Sequence, residues 1–322
     1  MELKRFEDLF TAEKRDWAHA VIGIIGHVRP DGDCAGSCLG LMHYLKKRMP
    51  EAQVQAYLDP ISPKFRLLPG LPEALEAKVP AHVDVLFVLD CSDTGRIGAG
   101  AELLAHSDVV ICLDHHISNI GFGDWQNILP DASSTAEVLY GMMEKEAIEL
   151  DTATCLYTGL IHDTGVFRHS CTGKATMEAA GYLMSLGVPF TKLINETFYQ
   201  KTYAENRGLG AVLKDAKRYA DDRVIVGIAD QKLQAEYGLT PLNLDGIVDQ
   251  LNLTEGVDCT VFLYETAPGV FKASIRTGEA AAANVIADTF GGGGHARAAG
   301  CSLEMDAEEA VKLLLAEIEK QL

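Results

Sequence analysis

Apolar and polar positions along this chain fall into two textures. In the first half, short β-branched apolar runs over residues 21–28, 54–58, 84–89 and 108–113 have strand length and alternate with helical patterns. Leu39, Leu41, Met42 and Leu45 fall on a helical spacing that predicts a helix over 34–49. Ser134-Thr-Ala-Glu137 is a capping box opening a helix to about residue 145. Further helices are predicted over 151–162, 175–186, 191–199 and 203–216. Such alternation argues for βαβ units around a parallel sheet. From residue 222 the pattern becomes a strand over 223–229, a helix over 243–251 and a hairpin of 257–265 with 270–277 turning at Ala-Pro-Gly. A short helix over 280–290, a glycine run over 291–294 and a terminal amphipathic helix over 306–322 complete it. The expected class is α/β: a parallel-sheet domain with helices on both faces over 1–200, a helical linker over 201–220 and a smaller α/β domain over 221–322. No internal repeat is visible.

Composition narrows the function. The chain has 322 residues, 48% of them apolar and 23% charged, which matches globular usage of about 45–50% and about 25%. Its formal net charge is −18, so a long duplex held by counterion release has no basic surface to bind. No apolar run approaches the roughly 20 residues that span a bilayer. The opening Met-Glu-Leu-Lys-Arg-Phe-Glu-Asp carries acids where a signal peptide needs a basic region. The eight cysteines include no CxxC pair and read as buried thiols of a reducing compartment. A cytoplasmic protein without a membrane partner is expected, and the sequons at Asn195 and Asn252 then carry no meaning.

The chemistry is positional. Three predicted strands each run into an acid or histidine cluster: His27-Val-Arg-Pro-Asp31-Gly-Asp33, then Leu89-Asp90, then Leu113-Asp114-His115-His116. In open α/β sheets ligands gather outside the carboxyl ends of the strands, so parallel neighbours would bring all three clusters to one edge. Crowded carboxylates raise one another's pKa unless a cation sits among them. Mixed Asp/His ligation suits Mn²⁺ and tolerates Mg²⁺, Co²⁺ or Zn²⁺. A tight turn through Pro30 and Gly32 can aim His27, Asp31 and Asp33 in two directions, as adjacent ions require. Ordinary turn carboxylates explain each residue alone but not the set. Asp-Thr-Gly at Asp93 and Asp163 does not indicate an aspartic protease, which needs an all-β chain, and Gly23-Ile-Ile-Gly26 lacks the dinucleotide-binding spacing. Arg96 and Arg168 are equally well structural ion-pair partners. His162 is expected to face away from Asp163 across its helix.

These motifs resemble those of the DHH phosphoesterases, whose name matches Asp114-His115-His116. The companions are His27-x-x-Pro30-Asp31-x-Asp33-x-x-Gly36-Ser37, Asp90 after an apolar strand, and Asp163 in Gly-Leu-Ile-His-Asp-Thr-Gly. Gly291-Gly-Gly-Gly-His295-x-x-Ala298-Ala299-Gly300 is similar to the glycine-rich signature of the DHH-associated C-terminal domain. Five motifs in family order cover nearly the whole chain. Length and layout are most like the bacterial oligoribonuclease (nanoRNase) and 3′-phosphoadenosine 5′-phosphate phosphatase branch.

The resemblance implies two divalent ions, Mn²⁺ first, with Mg²⁺ or Co²⁺ as alternatives. His27, Asp31 and Asp90 would hold one; Asp33, Asp90, His115 and Asp163 the other, with Asp90 bridging. It implies hydrolysis by a hydroxide that the two ions activate, with His116 as the group donating to the leaving oxygen. Asp114 would fix a histidine tautomer or the turn. Arg276, Gly292, Gly293, Gly294 and His295 are the candidate substrate contacts, the glycines as a backbone anion nest. The expected substrates are short RNA oligonucleotides and small nucleotides, and a homodimer is compatible. Cyclic dinucleotide hydrolysis is the alternative. A processive long-strand exonuclease, a manganese pyrophosphatase, a non-catalytic nucleotide sensor and a structural assembly protein fit less well.

Overall fold

The computed structural model describes residues 1–244 and 246–322. The chain divides into two compact units, Met1–Gln200 and Lys201–Leu322. The first contains α1 (Phe6–Ala12), β1 (Val21–Ile25), α2 (Gly32–Arg48), β2 (Gln53–Tyr57), α3 (Leu71–Glu76), β3 (Val83–Leu89), β4 (Ser107–Asp114) and β5 (Trp125–Ile128). It continues through α4 (Thr135–Met142), α5 (Leu150–Asp163), α6 (Lys174–Ser185) and α7 (Phe190–Leu193) into a π-helical turn, Ile194–Tyr199. The second contains α8 (Tyr203–Asp215), β6 (Lys217–Tyr219), β7 (Val224–Ala229), α9 (Gln231–Tyr237), α10 (Ile247–Leu251), β8 (Cys259–Ala267) and β9 (Val270–Thr277). It ends with α11 (Ala283–Asp288), β10 (Gly293–His295), β11 (Ala298–Glu304) and α12 (Ala307–Ile318).

In the first unit five strands run in the order β2-β1-β3-β4-β5, every neighbouring pair parallel. β1, β3 and β4 are therefore adjacent, and the segments following Ile25, Leu89 and Leu113 leave the same edge. The central strands are apolar on both faces, as a sheet covered on both sides requires. One face packs on α1, α2, α4, α5 and α6. The other, with Ile25, Val83, Leu86 and Val88, is covered by the 3₁₀ turns Thr94–Arg96 and Ala101–Ala105 around Leu103. The helical cover predicted for both faces is thus α on one and 3₁₀ on the other.

α2 and α5 pack closely because glycine lines their seam. An alanine Cβ at Gly36 would lie 2.5 Å from the Cys155 carbonyl oxygen and 2.9 Å from the Gly159 nitrogen. At Gly40 it would meet Leu156 at 2.9 Å.

In the second unit the sheet order is β10-β11-β9-β8-β7-β6, antiparallel except between β7 and β8. α11 and α12 cover one face; α8, α9 and α10 cover the other. The hairpin turning at Ala-Pro-Gly joins β8 to β9. Several elements differ from the sequence expectation. β5, β6, β10 and β11 were not anticipated, α4 stops at Met142, and the helix expected over 191–199 changes from α to π geometry at Ile194. In the helix expected over 243–251, residue 245 lies outside the described residues, and Ile247–Leu251 is helical. Among the described residues no helix is long and apolar enough to cross a membrane.

The seam gives a stability prediction. Gly36→Ala should lose about 1–3 kcal/mol by overpacking. Gly141→Ala, in α4 with nothing within 4 Å of the new methyl, should be neutral or gain up to about 1 kcal/mol. Urea unfolding followed by tryptophan fluorescence reports on the first unit alone, because the chain's two tryptophans are Trp17 and Trp125. Equal stability of the two variants would contradict the tight seam.

Candidate metal centre

Each cluster residue is set by the local chain. Asp31 caps α2: its Oδ1 accepts from the backbone N–H groups of Asp33 and Cys34 at 3.0 and 3.1 Å. Its Oδ2 lies 3.8 Å from His27 Nε2. Asp33, fully buried, meets the start of α4: Thr135 N donates to Oδ2 at 2.6 Å and Ala136 N to Oδ1 at 3.0 Å. Ser37 Oγ adds a bond at 3.1 Å. The partial positive charge of a helix N-terminus favours a carboxylate there.

Asp90, just past the end of β3, holds a left-handed backbone (φ 54°), a conformation that costs a non-glycine residue about 1–2 kcal/mol. The surrounding bonds keep it there. Its N–H donates to Leu113 O at 3.1 Å, and its Oδ1 accepts from Thr135 Oγ1 at 3.0 Å. Three histidines surround it: His27 Nε2 at 3.5 Å, His116 Nδ1 at 3.6 Å and His115 Nε2 at 3.7 Å. Asp163 ends α5 and approaches His115 Nε2 to 3.0 Å.

The two histidines with Nε2 among the carboxylates have Nδ1 turned to backbone carbonyls. His27 Nδ1 is 2.8 Å from Val28 O, and His115 Nδ1 is 3.4 Å from Ala132 O. That orientation presents Nε2 as a ligand atom, the arrangement in which a metal-binding imidazole is fixed through its other nitrogen. The donor set therefore fits a divalent cation: Asp33, His115 and Asp163 offer ligand atoms within 4.8 Å of one another, as do His27, Cys34 and Asp90. A candidate divalent-metal centre lies at the carboxyl edge of the parallel sheet.

Titration behaviour follows from this crowding. Burial opposes ionisation of Asp31, yet the His27 bond outweighs it and holds the carboxyl at about 2. Asp33 is pushed up by burial and by the Asp90 and Asp163 charges, against the opposing charge of His115. Burial also raises Asp163, to about 6, despite His115. Burial disfavours protonated His115, but Asp163, Asp33 and Asp90 raise it to about 10. His27 is raised in the same way, burial being outweighed by Asp31 and Asp90.

Asp114 has a different environment. Its Oδ1 accepts from the N–H groups of His115 and His116 at 2.8 and 3.2 Å and lies 2.7 Å from His116 Nδ1. Its Oδ2 accepts from Asn119 Nδ2 at 2.7 Å. Burial opposes its ionisation, but the His116 and Asn119 bonds prevail and lower it. In turn the Asp114 bond raises His116. Asp114 thus holds the turn and orients His116.

His162 has its own surroundings. Its ring packs on the Asp31–Asp33 turn, where an alanine Cβ at Gly32 would lie 2.2 Å from His162 Cγ. Its Nε2 is 3.0 Å from Thr197 Oγ1 in the π-helical turn, and the Phe65 ring packs against it at a 54° tilt with centroids 4.8 Å apart. Sequence reasoning also missed Thr135, Ala136 and Asn119, whose polar groups anchor Asp33, Asp90 and Asp114. The one signal for them was the capping box at Ser134, which marks where α4 begins. Arg96 and Arg168 are exposed.

The second unit's candidates have their own surroundings. Gly293–His295 is an exposed edge strand paired antiparallel with Ala298–Gly300. Glycine is needed at 292, where a Cβ would lie 2.3 Å from Gly300 O, and at 294, with φ 143°. Arg276 pairs with Asp249 at 3.0 Å, and Arg297 NH1 binds the carbonyl oxygens of Gly278 and Ala281.

A family model described as the DHH family, N-terminal domain, matches residues 21–160, and one described as the DHHA1 domain matches residues 221–322. The curated bifunctional oligoribonuclease and PAP phosphatase NrnA of Thermus thermophilus is 32% identical to this chain, covering 94% of it and 90% of the relative. The crystal structure of an exopolyphosphatase-related protein from Bacteroides fragilis is similar with a TM-score of 0.85 at 26% identity, covering 97% of this chain and 95% of that one. Exonuclease RecJ bound to manganese has a similar fold, with a TM-score of 0.53 at 17% identity, covering 98% and 93% of the two chains.

The anchoring of Asp90 by Thr135 generates a prediction. Thr135→Val keeps the backbone bond to Asp33 but removes the hydroxyl from Asp90. Mn²⁺ affinity, read by electron paramagnetic resonance, should fall about 10-fold or more with unchanged circular dichroism. Unaltered affinity would show that this hydroxyl does not position Asp90.

Proposed function

The chain belongs to the DHH family, and from that premise we propose that it is a metal-dependent phosphoesterase that hydrolyses short RNA oligonucleotides to mononucleotides and 3′-phosphoadenosine 5′-phosphate to AMP and phosphate. The observation that carries this reading is the position of Asp90, a buried carboxylate with three histidines 3.5–3.7 Å away.

His27, Asp31 and Asp90 are assigned to one ion and Asp33, Asp90, His115 and Asp163 to a second, with Asp90 common to both. Mn²⁺ is the favoured ion, and Mg²⁺ or Co²⁺ can replace it. When bound, such a pair supplies Lewis acidity that makes water more acidic and stabilises charge developing on phosphoryl oxygens. The chain's own groups do the remainder. The ligand carboxylates are held by the start of α2, the start of α4, the segment after β3 and the end of α5. A water oxygen adds to phosphorus as the ester P–O bond breaks, and the leaving oxygen needs a proton. His116 is the proposed donor, a reading supported by Asp114, which engages Nδ1 and favours the protonated ring and leaves Nε2 as the donating position.

Arg276, the backbone of Gly292, Gly293 and Gly294, and His295 are proposed contacts for substrate phosphate. Arg276 must then exchange its exposed partner Asp249 for the ligand.

A Mn²⁺-supplemented assay on di- to pentanucleotides, cyclic dinucleotides and 3′-phosphoadenosine 5′-phosphate tests the reading. Mononucleotides from short RNA and AMP from the bisphosphate are expected. Asp90→Ala should abolish both activities. Turnover of cyclic substrates alone would replace the substrate assignment, and full activity of Asp90→Ala would remove the metal mechanism. His116→Ala should lower kcat by about 10²–10⁴ with metal content unchanged. Full turnover in that variant would remove the proton-donor role.

A further inference from the structure

Within the first unit, two separate segments close on the His162 side chain of α5. The 3₁₀ turn Pro63–Phe65 sets the Phe65 ring 4.8 Å from it, centroid to centroid. The π-helical turn Ile194–Tyr199 sets Phe198 edge-on at 5.5 Å and Thr197 Oγ1 at 3.0 Å from Nε2. Arg66 NH2 donates to Glu196 Oε2 at 2.6 Å, which ties these two segments to each other. π geometry is rare and is found disproportionately at functional sites. Here it carries both Thr197 and Phe198 to the imidazole.

The proton in the Thr197 contact can be assigned. The buried Thr197 hydroxyl donates to Leu193 O at 2.7 Å. A hydroxyl has one proton and two acceptor lone pairs, so toward His162 it accepts, and Nε2 carries the hydrogen. Two bonds in series therefore hold the ring in one orientation.

What the ring supports is Gly32. A Cβ there would lie 2.2 Å from His162 Cγ and 2.5 Å from Cδ2, so glycine lets the backbone rest on the imidazole. Gly32 separates Asp31 from Asp33, which are assigned to different ions, and the anchorage of these two is unequal. Asp33 is bonded to α4 through Thr135 N and Ala136 N, and to Ser37 Oγ. Asp31 bonds to Asp33 N, Cys34 N and, through its carbonyl, Ala35 N, all inside its own helix start. The His162 ring gives that turn the outside support that α4 gives Asp33.

We infer that His162 is a positioning residue: clasped by Thr197, Phe65 and Phe198, it holds the Asp31–Gly32–Asp33 turn and sets ion affinity at the His27–Asp31–Asp90 position. It acts through Gly32, its Nε2 being committed to Thr197. This inference rests on the proposed metal centre.

Two variants remove the same bond from opposite sides. Thr197→Val deletes the hydroxyl at nearly constant volume, and His162→Phe keeps a ring against Gly32 without the donor. Full chains are stripped with chelator and titrated with Mn²⁺, free ion being read by electron paramagnetic resonance. The native chain should bind two ions. Each single variant should hold one of them about 10-fold more weakly, the other with native affinity, and circular dichroism should be unchanged. Thr197→Ser, which restores the hydroxyl, should recover both affinities. The double variant should be no weaker than either single one, because one bond is lost in all three. In an Asp31→Asn chain, whose His27-side ion is already weakened, Thr197→Val should cost the remaining ion nothing. Native affinity for both ions in Thr197→Val and His162→Phe, equal losses at both positions, or additive losses in the double variant would overturn the positioning role. No Mn²⁺ binding by the native chain would overturn the metal centre itself.

Discussion

Burying several carboxylates at one sheet edge is the constraint on which the rest of the first unit depends. Asp33, Asp90 and Asp114 are almost completely buried, and like charges in such a place are unfavourable unless donors or cations answer them. The protein answers them unequally. Asp114 is satisfied by two backbone amides, an asparagine and an imidazole. Asp33 takes two amides at a helix start and a serine hydroxyl. Asp90 receives one hydroxyl and otherwise faces histidine nitrogens beyond 3.4 Å. The carboxylate with fewest protein donors is the one at the middle of the cluster, where a cation gains most. This inequality separates a positioning role for Asp114 from the proposed bridging role of Asp90, although both follow strands in the same sheet.

The packing of α2 on α5 turns this edge arrangement into a three-dimensional site. Asp31 and Asp33 belong to the start of α2, whereas Asp163 is the last residue of α5. Only a close helix pair brings them together, and Gly36 with Gly159 permits it: a Cβ at Gly159 would lie 2.5 Å from Asp33 Oδ1. His162 wedges against Gly32 on the same seam. The glycines that set interhelical distance therefore also set carboxylate spacing. A loss of packing here would be felt in the site before the sheet is disturbed, because the sheet has its own buried apolar faces.

What was legible in the chain is what depends on local order. Buried strands announce themselves as apolar runs, and the acids that follow them announce the site edge, so β1, β3, β4 and their clusters could be placed from sequence. The Asp33 anchors could not. Thr135 and Ala136 contribute backbone N–H groups, which carry no side-chain signature, and Asn119 is an ordinary loop asparagine until the fold turns it inward. β5 has the short, mixed sequence Trp-Gln-Asn-Ile and becomes a strand by pairing with β4. The glycine run reads as a backbone nest from composition alone, but pairing with Ala298–Gly300 draws its end into an edge strand. Tertiary partners, absent from any local window, decide each of these cases.

Charge closes the physical picture. At a net charge of −18, the surface offers a long polyanion little counterion release, and each added phosphate outside the site meets a repulsive field screened only over about 8–10 Å. A substrate of a few nucleotides avoids most of that penalty, since its reacting phosphate lies where the proposed cations concentrate positive charge. Two divalent ions would leave the protein strongly acidic while reversing the sign of the potential locally. The proposed preference for short substrates then needs no steric gate at this centre. It follows from placing a compact cationic site within an acidic protein.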